Sequence, residues 1–224
     1  PAGGRAGGRA GAAGIVRLIS SGTLPENITV TLARLGAGFG IGGTAGLLLG
    51  MGMGWSRSLR SVADPLVALV HPVPKIAVLP LVMAFLGLGN ASKVAVVALA
   101  AFFPVLINAM GGVRQISSVH FEVARNFNAG PLRMFSRVVL PGSLPSILTG
   151  TRLGFNSALV VTIAVELVYA RQGLGAMIWR AWETMRVEEL YAGILVTGLI
   201  GVSFNVVLGA AMRYFVPWRA HSEV

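Results

Sequence analysis

Long apolar stretches separated by short polar loops constrain this chain more than any other feature. They lie at residues 29–53, 62–86, 93–110, 146–169 and 190–215. Each is long enough to cross the hydrocarbon core of a membrane as a helix, which takes about 18 residues or more. Helices satisfy their own backbone hydrogen bonds in lipid. The sequence therefore predicts an all-α, polytopic membrane helical bundle with about five spans.

The composition supports a membrane protein and argues against other classes. Of the 224 residues, 54% are hydrophobic and only 12% are charged, whereas a soluble domain has about 25% charged residues. A net charge of +10 would indicate a nucleic-acid partner in a soluble protein. Here the arginines cluster between apolar stretches, where membrane topology explains them better. We therefore expect contact with membrane lipid and none with nucleic acid.

Residues that could build a catalytic or metal site are few and scattered. Cysteine is absent, so no thiolate site or disulfide is expected. His71, His120 and His221 lie far apart in the sequence, and there is no HExxH motif. No Gly-rich phosphate loop of the GxxxxGKS or GxxxxGKT type occurs either. We therefore expect neither an enzyme nor a cofactor or metal in this chain, and any ATP would be bound elsewhere.

Three regions follow from this pattern. Residues 1–28 are predicted to be a flexible or interfacial N-terminal segment, since residues 1–14 are a low-complexity run of Pro, Gly, Ala and Arg. Residues 29–215 form the transmembrane domain, and residues 216–224 form a C-terminal tail. A charged segment at residues 114–145 interrupts the apolar stretches of that domain.

This charged segment predicts two short helices joined by a turn. Val119, Val123 and Phe127 recur every four residues and share one face of the first helix. Residues 128–130 are Asn-Ala-Gly, and Asn and Gly tolerate the left-handed conformation that ends a helix. The segment therefore resembles a docking surface for a soluble partner more than a membrane span.

Prolines frame the second helix of the segment. Pro131 suits the first helical position, where a missing N–H costs nothing. Pro141 and Pro145 are expected to end the helix, because proline removes a helical hydrogen bond and clashes with the preceding turn.

The segment also resembles a known motif. The motif consists of an acid, an alanine two residues on, a turn residue six positions after the acid, and a Leu-Pro pair: Glu122, Ala124, Asn128, Leu140 and Pro141. It resembles the coupling motif of importer-type ABC transporter permeases. The string RVVLPGSLPSILTGTRLG at residues 137–154 is similar to the permeases for sulfonates, taurine and nitrate. One departure is Asn128, where the family usually has Gly.

This resemblance, which runs from about residue 24 to the C-terminus, implies an ATP-driven, binding-protein-dependent importer for a small oxyanion, working by alternating access. It implies ATP-hydrolysing subunits that hold ATP and Mg, an extracytoplasmic solute-binding protein and a second permease copy in a homodimer. The implied location is the bacterial cytoplasmic (inner) membrane. The residues implied to couple to the ATPase are Glu122, Ala124, Arg125, Asn128, Ala129, Gly130, Arg133, Leu140 and Pro141.

The stretch at residues 62–86 predicts a broken span. It contains Pro65, Pro72, Pro74 and Pro80, and four prolines are incompatible with one straight helix. Broken helices at membrane depth line a cavity or are buried by protein. His71 and Lys75 lie beside the break and are candidates for a translocation path, where Lys75 would favour an anion. The alternative is an interfacial position, or bonds to backbone carbonyls.

The stretch at residues 146–169 carries polar residues at membrane depth. Asn156 and Ser157 are candidate pore-facing groups, although polar contacts between helices explain them equally well. Arg152 and Glu166 are 14 residues apart, about 21 Å along a helix. They cannot pair with each other, so each needs a partner elsewhere or an interfacial position.

The first span carries a stripe of glycines and one early arginine. The glycines fall four residues apart, which favours close approach of another helix over generic glycine enrichment: Gly38, Gly42, Gly46, Gly50 and Gly54. Arg34, near the start of the span, is expected to extend to the membrane interface.

The arginine distribution orients the chain. Loops on one side hold Arg57, Arg60, Arg114, Arg125, Arg133, Arg137, Arg213 and Arg219, and loops on the other hold Lys93, Arg171, Arg180 and Arg186. The positive-inside rule makes the first side cytoplasmic, including the segment at 114–145. Arg5, Arg9 and Arg17 fall on the other side and weaken the bias.

An ATP-independent secondary carrier or channel is the alternative function, because broken helices suit such proteins equally well. It predicts ion-coupling carboxylates at mid-membrane and an internal repeat. Only Glu166 lies near membrane depth, and no repeat is evident. The sequence therefore favours the importer.

Overall fold

The computed structural model describes residue 20 and residues 22–216. Its helices are α1 Thr23–Trp55, α2 Arg57–Val70, α3 Leu79–Leu86, α4 Asn90–Arg114, α5 Ser118–Asn126, α6 Pro131–Met134, α7 Leu140–Tyr169, α8 Leu174–Glu183 and α9 Val187–Phe215. A 3-10 turn spans Lys75–Val78, and a π turn spans Phe135–Val139. No strand occurs in the described residues, so the all-α prediction is confirmed.

Within residues 22–216, four helices are long and apolar enough to cross a membrane, and a bent helix pair counts as a fifth if it is one broken span. The pair consists of Arg57–Val70 and Lys75–Leu86, bent by 90° at the break. Pro72 and Pro74 occupy the break, where a missing N–H and a fixed φ interrupt the helical hydrogen bonds. The predicted multi-span bundle is therefore confirmed, and the helix break predicted within residues 62–86 is present.

Helix α1 begins at Thr23, before residue 29, where the sequence placed the start of the first span. The predicted low-complexity stretch at residues 1–14 and residues 217–224 of the predicted tail lie outside the described residues.

The two ends of the bundle are held by different contacts. Trp55, at the end of α1, packs against Phe121 and Phe135 with ring centroids 6.4 and 6.1 Å apart. At the opposite end, Glu166 near the end of α7 is bonded to Thr31 of α1. We call the first the coupling end and the second the α8 end.

Helix α4 lies at the centre, with α1 packed on one side and α7 on the other. The glycine stripe of α1 faces α4. A Cβ at Gly38 would lie 2.5 Å from the Val97 side chain, and one at Gly46 would lie 2.5 Å from the Phe102 carbonyl. These distances leave no room for a side chain, so glycine sets the close approach of the two helices.

Replacing Gly42 by Leu is expected to destabilise the protein, because its Cβ would run into the Ala98 carbonyl. Overpacking costs about 1–3 kcal/mol, or more where backbone must move. Gly40→Leu is the matched control, since nothing lies within 4 Å of a Cβ at that position. Thermal unfolding in detergent should show a lower midpoint for Gly42→Leu alone. Equal midpoints for the two variants would contradict the packing.

The second helix of the charged segment does not end at Pro141 or Pro145, so that expectation is wrong. Helices α6 and α7 and the π turn between them join into one helix, Pro131–Tyr169, of 39 residues. The π turn at Phe135–Val139 immediately precedes Pro141. A π turn widens the helix locally and leaves room for the proline ring against the preceding carbonyls.

Candidate functional site

A cavity of about 590 Å³ opens where the broken span meets α4 and α7. Its walls are mostly apolar, and its polar lining includes His71, Lys75, Asn156 and Ser157. The sequence proposed these four residues for a translocation path from two separate stretches. The fold brings all four into one cavity.

The break in the second span positions the cation of this cavity. The Lys75 Nζ donates to the backbone carbonyl of His71 and lies 4.8 Å from the centroid of the Phe103 ring. The His71 ring meets the same Phe103 edge-on, with centroids 5.4 Å apart. No carboxylate pairs with Lys75 in residues 22–216. The ammonium is therefore held by a carbonyl and an aromatic face, both of which leave its charge uncompensated.

Helix α7 supplies the neutral polar groups. The Asn156 Oδ1 accepts a hydrogen bond of 3.0 Å from the Nδ2 of Asn205 on α9. Asn156 thus lines the cavity and also joins two helices, so the predicted polar contact between helices is present, and its pore-facing role stays a prediction. With its oxygen occupied, its NH₂ group is the donor left for a solute. Ser157 contributes a hydroxyl beside it.

The charged segment at the coupling end has the turn that its sequence predicts. Asn128 adopts a φ of 51°, the left-handed conformation expected there. The Ala129 N–H donates to the Ala124 carbonyl and the Asn128 N–H to the Arg125 carbonyl, at 3.0 and 2.8 Å. These bonds form a Schellman motif that closes α5. Asn128 therefore supplies the left-handed turn that the sequence predicts at this position.

Pro131 begins α6 as expected, and Gly130 is the residue before it.

The charged side chains of this segment are exposed: Glu122, Arg125, Arg133 and Arg137. None of them forms an ion pair within the part of the chain that the structure describes. A cleft of about 840 Å³ between α5 and the start of α7 includes Ala124 and Pro141 in its walls. Leu140 is 41% exposed. The segment thus presents free charges and a cleft at one end of the bundle.

The family of the chain follows from comparison with known proteins. The model of binding-protein-dependent transport system inner membrane components matches residues 42–221. The chain belongs to this family. The permease is accordingly a multi-pass membrane subunit of an ATP-driven importer, and it is the transport subunit rather than the ATPase. The resemblance drawn from the coupling motif is confirmed.

Curated relatives agree with this assignment. The permease is 35% identical to the taurine transport system permease protein TauC of Escherichia coli, over 90% of this chain and 73% of that protein. It is 33% identical to the putative aliphatic sulfonates transport permease protein SsuC of Bacillus subtilis, over 92% and 75%. The nitrate import permease protein NrtB of Synechocystis is 26% identical, over 85% and 69%.

A solved structure shows the same fold. The permease matches a chain of the inward-facing MetNI methionine ABC transporter with a TM-score of 0.69, covering 83% of this chain and 94% of the other. The sequence identity is 15%, so this likeness concerns the fold alone.

A buried polar network at the α8 end was missed by the sequence argument. Arg34 is only 7% exposed, and its Nη1 pairs with the Glu166 Oε1 at 2.7 Å. The expectation that Arg34 extends to the interface is wrong, because a buried carboxylate faces it across the bundle. The sequence indicated that Glu166 needs a partner, but it did not identify Arg34, which is 132 positions away. Arg152 keeps a buried Nε with no hydrogen-bond partner among the described residues.

Proposed function

We propose that the cavity at the broken span is a station on the translocation path of a small oxyanion, such as a sulfonate, taurine or nitrate. The single observation that carries this proposal is the Lys75 ammonium, which lies in a largely apolar cavity without a carboxylate partner in residues 22–216. The Lys75 side chain is partly exposed, and a cation beside apolar walls without a counter-ion attracts an anion. The named relatives that transport taurine, sulfonates and nitrate support the same class.

The neutral groups of the cavity suit an oxyanion. The Asn156 NH₂ and the Ser157 hydroxyl can each donate a hydrogen bond to an oxygen whose charge Lys75 balances. Among the residues that the structure describes, no acid lines the cavity, so none of them repels an anion there. The apolar remainder of the wall gives few other bonds, which favours passage over tight retention.

We further propose that the segment from Glu122 to Pro141 docks on ATP-hydrolysing subunits, which hold ATP and Mg²⁺. It lies at the arginine-rich coupling end, which the positive-inside rule makes cytoplasmic. ATP binding would favour one of two conformations of the bundle and so change which side the cavity faces. The working complex would contain a second copy of this chain as a homodimer and an extracytoplasmic binding protein, in a bacterial cytoplasmic membrane.

Replacing Lys75 by Met is expected to raise the apparent KM for the anion about tenfold, the effect of losing one charge-assisted hydrogen bond. Met keeps most of the length of the side chain and removes its charge and its hydrogen-bond donors. Lys75→Arg, which keeps the charge, should retain most of the uptake. The measurement is ATP-driven uptake in proteoliposomes, with co-purification of the ATP-hydrolysing subunit as the check on assembly. Unchanged kinetics in Lys75→Met would remove this residue from the path.

A further inference from the structure

Helix α8 takes its position from side chains that belong to other helices. The N–H groups of Gly173, Leu174 and Gly175 open this helix, and its own side chains do not cap it. They donate instead to the Asn27 Oδ1 at 2.7 Å, the Thr31 Oγ1 at 2.8 Å and the Glu166 Oε2 at 3.1 Å, respectively. The first N–H groups of a helix have no partner within it. Here α1 and α7 supply those partners, so α8 is bonded to both.

The Glu166 carboxylate is the centre of this arrangement. It is fully buried and also accepts from the Arg34 Nη1 at 2.7 Å and from the Thr31 Oγ1 at 2.8 Å. Arg34 in turn donates to the carbonyl of Gln172 at 2.6 Å and to the Oδ1 of Asn90 at 3.0 Å. One carboxylate and one guanidinium therefore join α1, α7, the loop before α8 and the start of α4.

Two glycines let α8 lie directly on this carboxylate. Gly173 has a φ of 118°, and a Cβ there would collide with the Glu166 side chain. A Cβ at Gly175 would lie 2.5 Å from the Ile163 carbonyl of α7. No side chain fits at either position, so the backbone at the start of α8 packs directly against the end of α7.

Stability alone does not account for a buried ion pair. Desolvation of two charges offsets most of their attraction, and apolar residues of similar volume often serve the fold as well or better. The charged network adds specificity of orientation, because several short hydrogen bonds between the helices must be satisfied together. The network therefore fixes the orientation of α8 relative to α1 and α7.

The helix that carries Glu166 also reaches the coupling segment. Pro131–Tyr169 is one helix of 39 residues, about 58 Å long at 1.5 Å per residue. Its first turns belong to the segment proposed to dock on the ATPase, and Glu166 lies near its other end. A single continuous element therefore connects the contact with α8 to the coupling end.

We propose that Glu166 is a positioning residue that couples α8, on the predicted extracytoplasmic side, to the coupling segment. Through it, docking of the solute-binding protein on that side changes ATP hydrolysis on the other. The inference rests on the proposed function, which supplies the ATP-hydrolysing subunits and the solute-binding protein. It assigns the coupling to the Glu166–Arg34 network, whereas the proposed function concerns the cavity and the coupling segment.

The test compares basal ATP hydrolysis with hydrolysis stimulated by loaded binding protein, in the assembled complex in proteoliposomes. Glu166→Gln should assemble and keep basal hydrolysis, while its stimulation falls about fivefold or more, the usual range of coupling between sites. Asp64→Asn, an exposed position on α2 outside α8, the network and the coupling segment, is the control and should be stimulated like wild type. Thr31→Val removes two bonds of the network without removing a charge, and it should lower stimulation to a smaller extent.

A double variant separates coupling from folding. Arg34→Met with Glu166→Met replaces the ion pair by apolar side chains and should recover the thermal midpoint lost by either single change. It should not recover the stimulation. Normal stimulation in Glu166→Gln, or in a thermally stable double variant, would overturn the inference, since the network would then only hold the fold. A wild-type complex that binding protein does not stimulate would overturn both the inference and the proposed importer complex.

Discussion

Replacing Glu122 by Lys is expected to abolish ATP-driven uptake. Glu122 is exposed on α5 and has no ion-pair partner in residues 22–216, so its charge is available to the ATP-hydrolysing subunit. Reversing a charge at a protein interface places like charges together and costs several kcal/mol. We expect the amount of ATPase subunit that co-purifies with the permease to fall at least about tenfold, and uptake to fall with it.

Glu183→Lys is the matched control for this change. It makes the same substitution on an exposed helical position, at the α8 end instead of the coupling end. The control should co-purify with the ATPase subunit at the wild-type level. Normal assembly and uptake in Glu122→Lys would show that the segment at the coupling end is an ordinary charged loop.

Replacing Arg34 by Met is expected to cause the largest loss of stability. The change leaves the Glu166 carboxylate buried, with 0% exposure, and removes the cation that pairs with it. Breaking a buried ion pair from one side costs about 3–5 kcal/mol. The thermal midpoint of the purified permease in detergent should fall accordingly, and the yield of monodisperse protein should fall with it.

Arg186→Met tests whether burial is the cause. Arg186 pairs with Glu189 at 3.2 Å, but its side chain is 64% exposed. A pair of that kind contributes about 0–1 kcal/mol, so the midpoint of this variant should stay close to wild type. Equal losses in Arg34→Met and Arg186→Met would contradict the buried network.

The coupling segment could be predicted from sequence because its signals are local. Asn128 supplies a left-handed turn and Pro131 a helix start, and both act within a few residues of their own position. The broken span was predictable for the same reason, since proline acts on the turn that precedes it. Pro141 shows the limit of that rule, because a π turn just before it allows the helix to continue.

Contacts between distant elements were beyond the sequence argument. Arg34 and Glu166 each satisfy ordinary local rules for a residue near the end of a membrane helix, and only the fold shows that they meet. The cavity could be predicted in part. The sequence indicated Lys75 because of its charge and Asn156 because of its depth in the membrane. That both line one cavity depends on how α7 packs beside the break in the second span.

The most direct test of the account is uptake by a reconstituted complex of the permease, its co-purifying ATP-hydrolysing subunit and a solute-binding protein. Taurine, an alkanesulfonate, nitrate and a neutral solute of similar size would be offered with and without ATP. The account predicts accumulation of one of the three oxyanion solutes that requires both ATP and the binding protein and is weakened in Lys75→Met. Accumulation without ATP, or of the neutral solute alone, would contradict it.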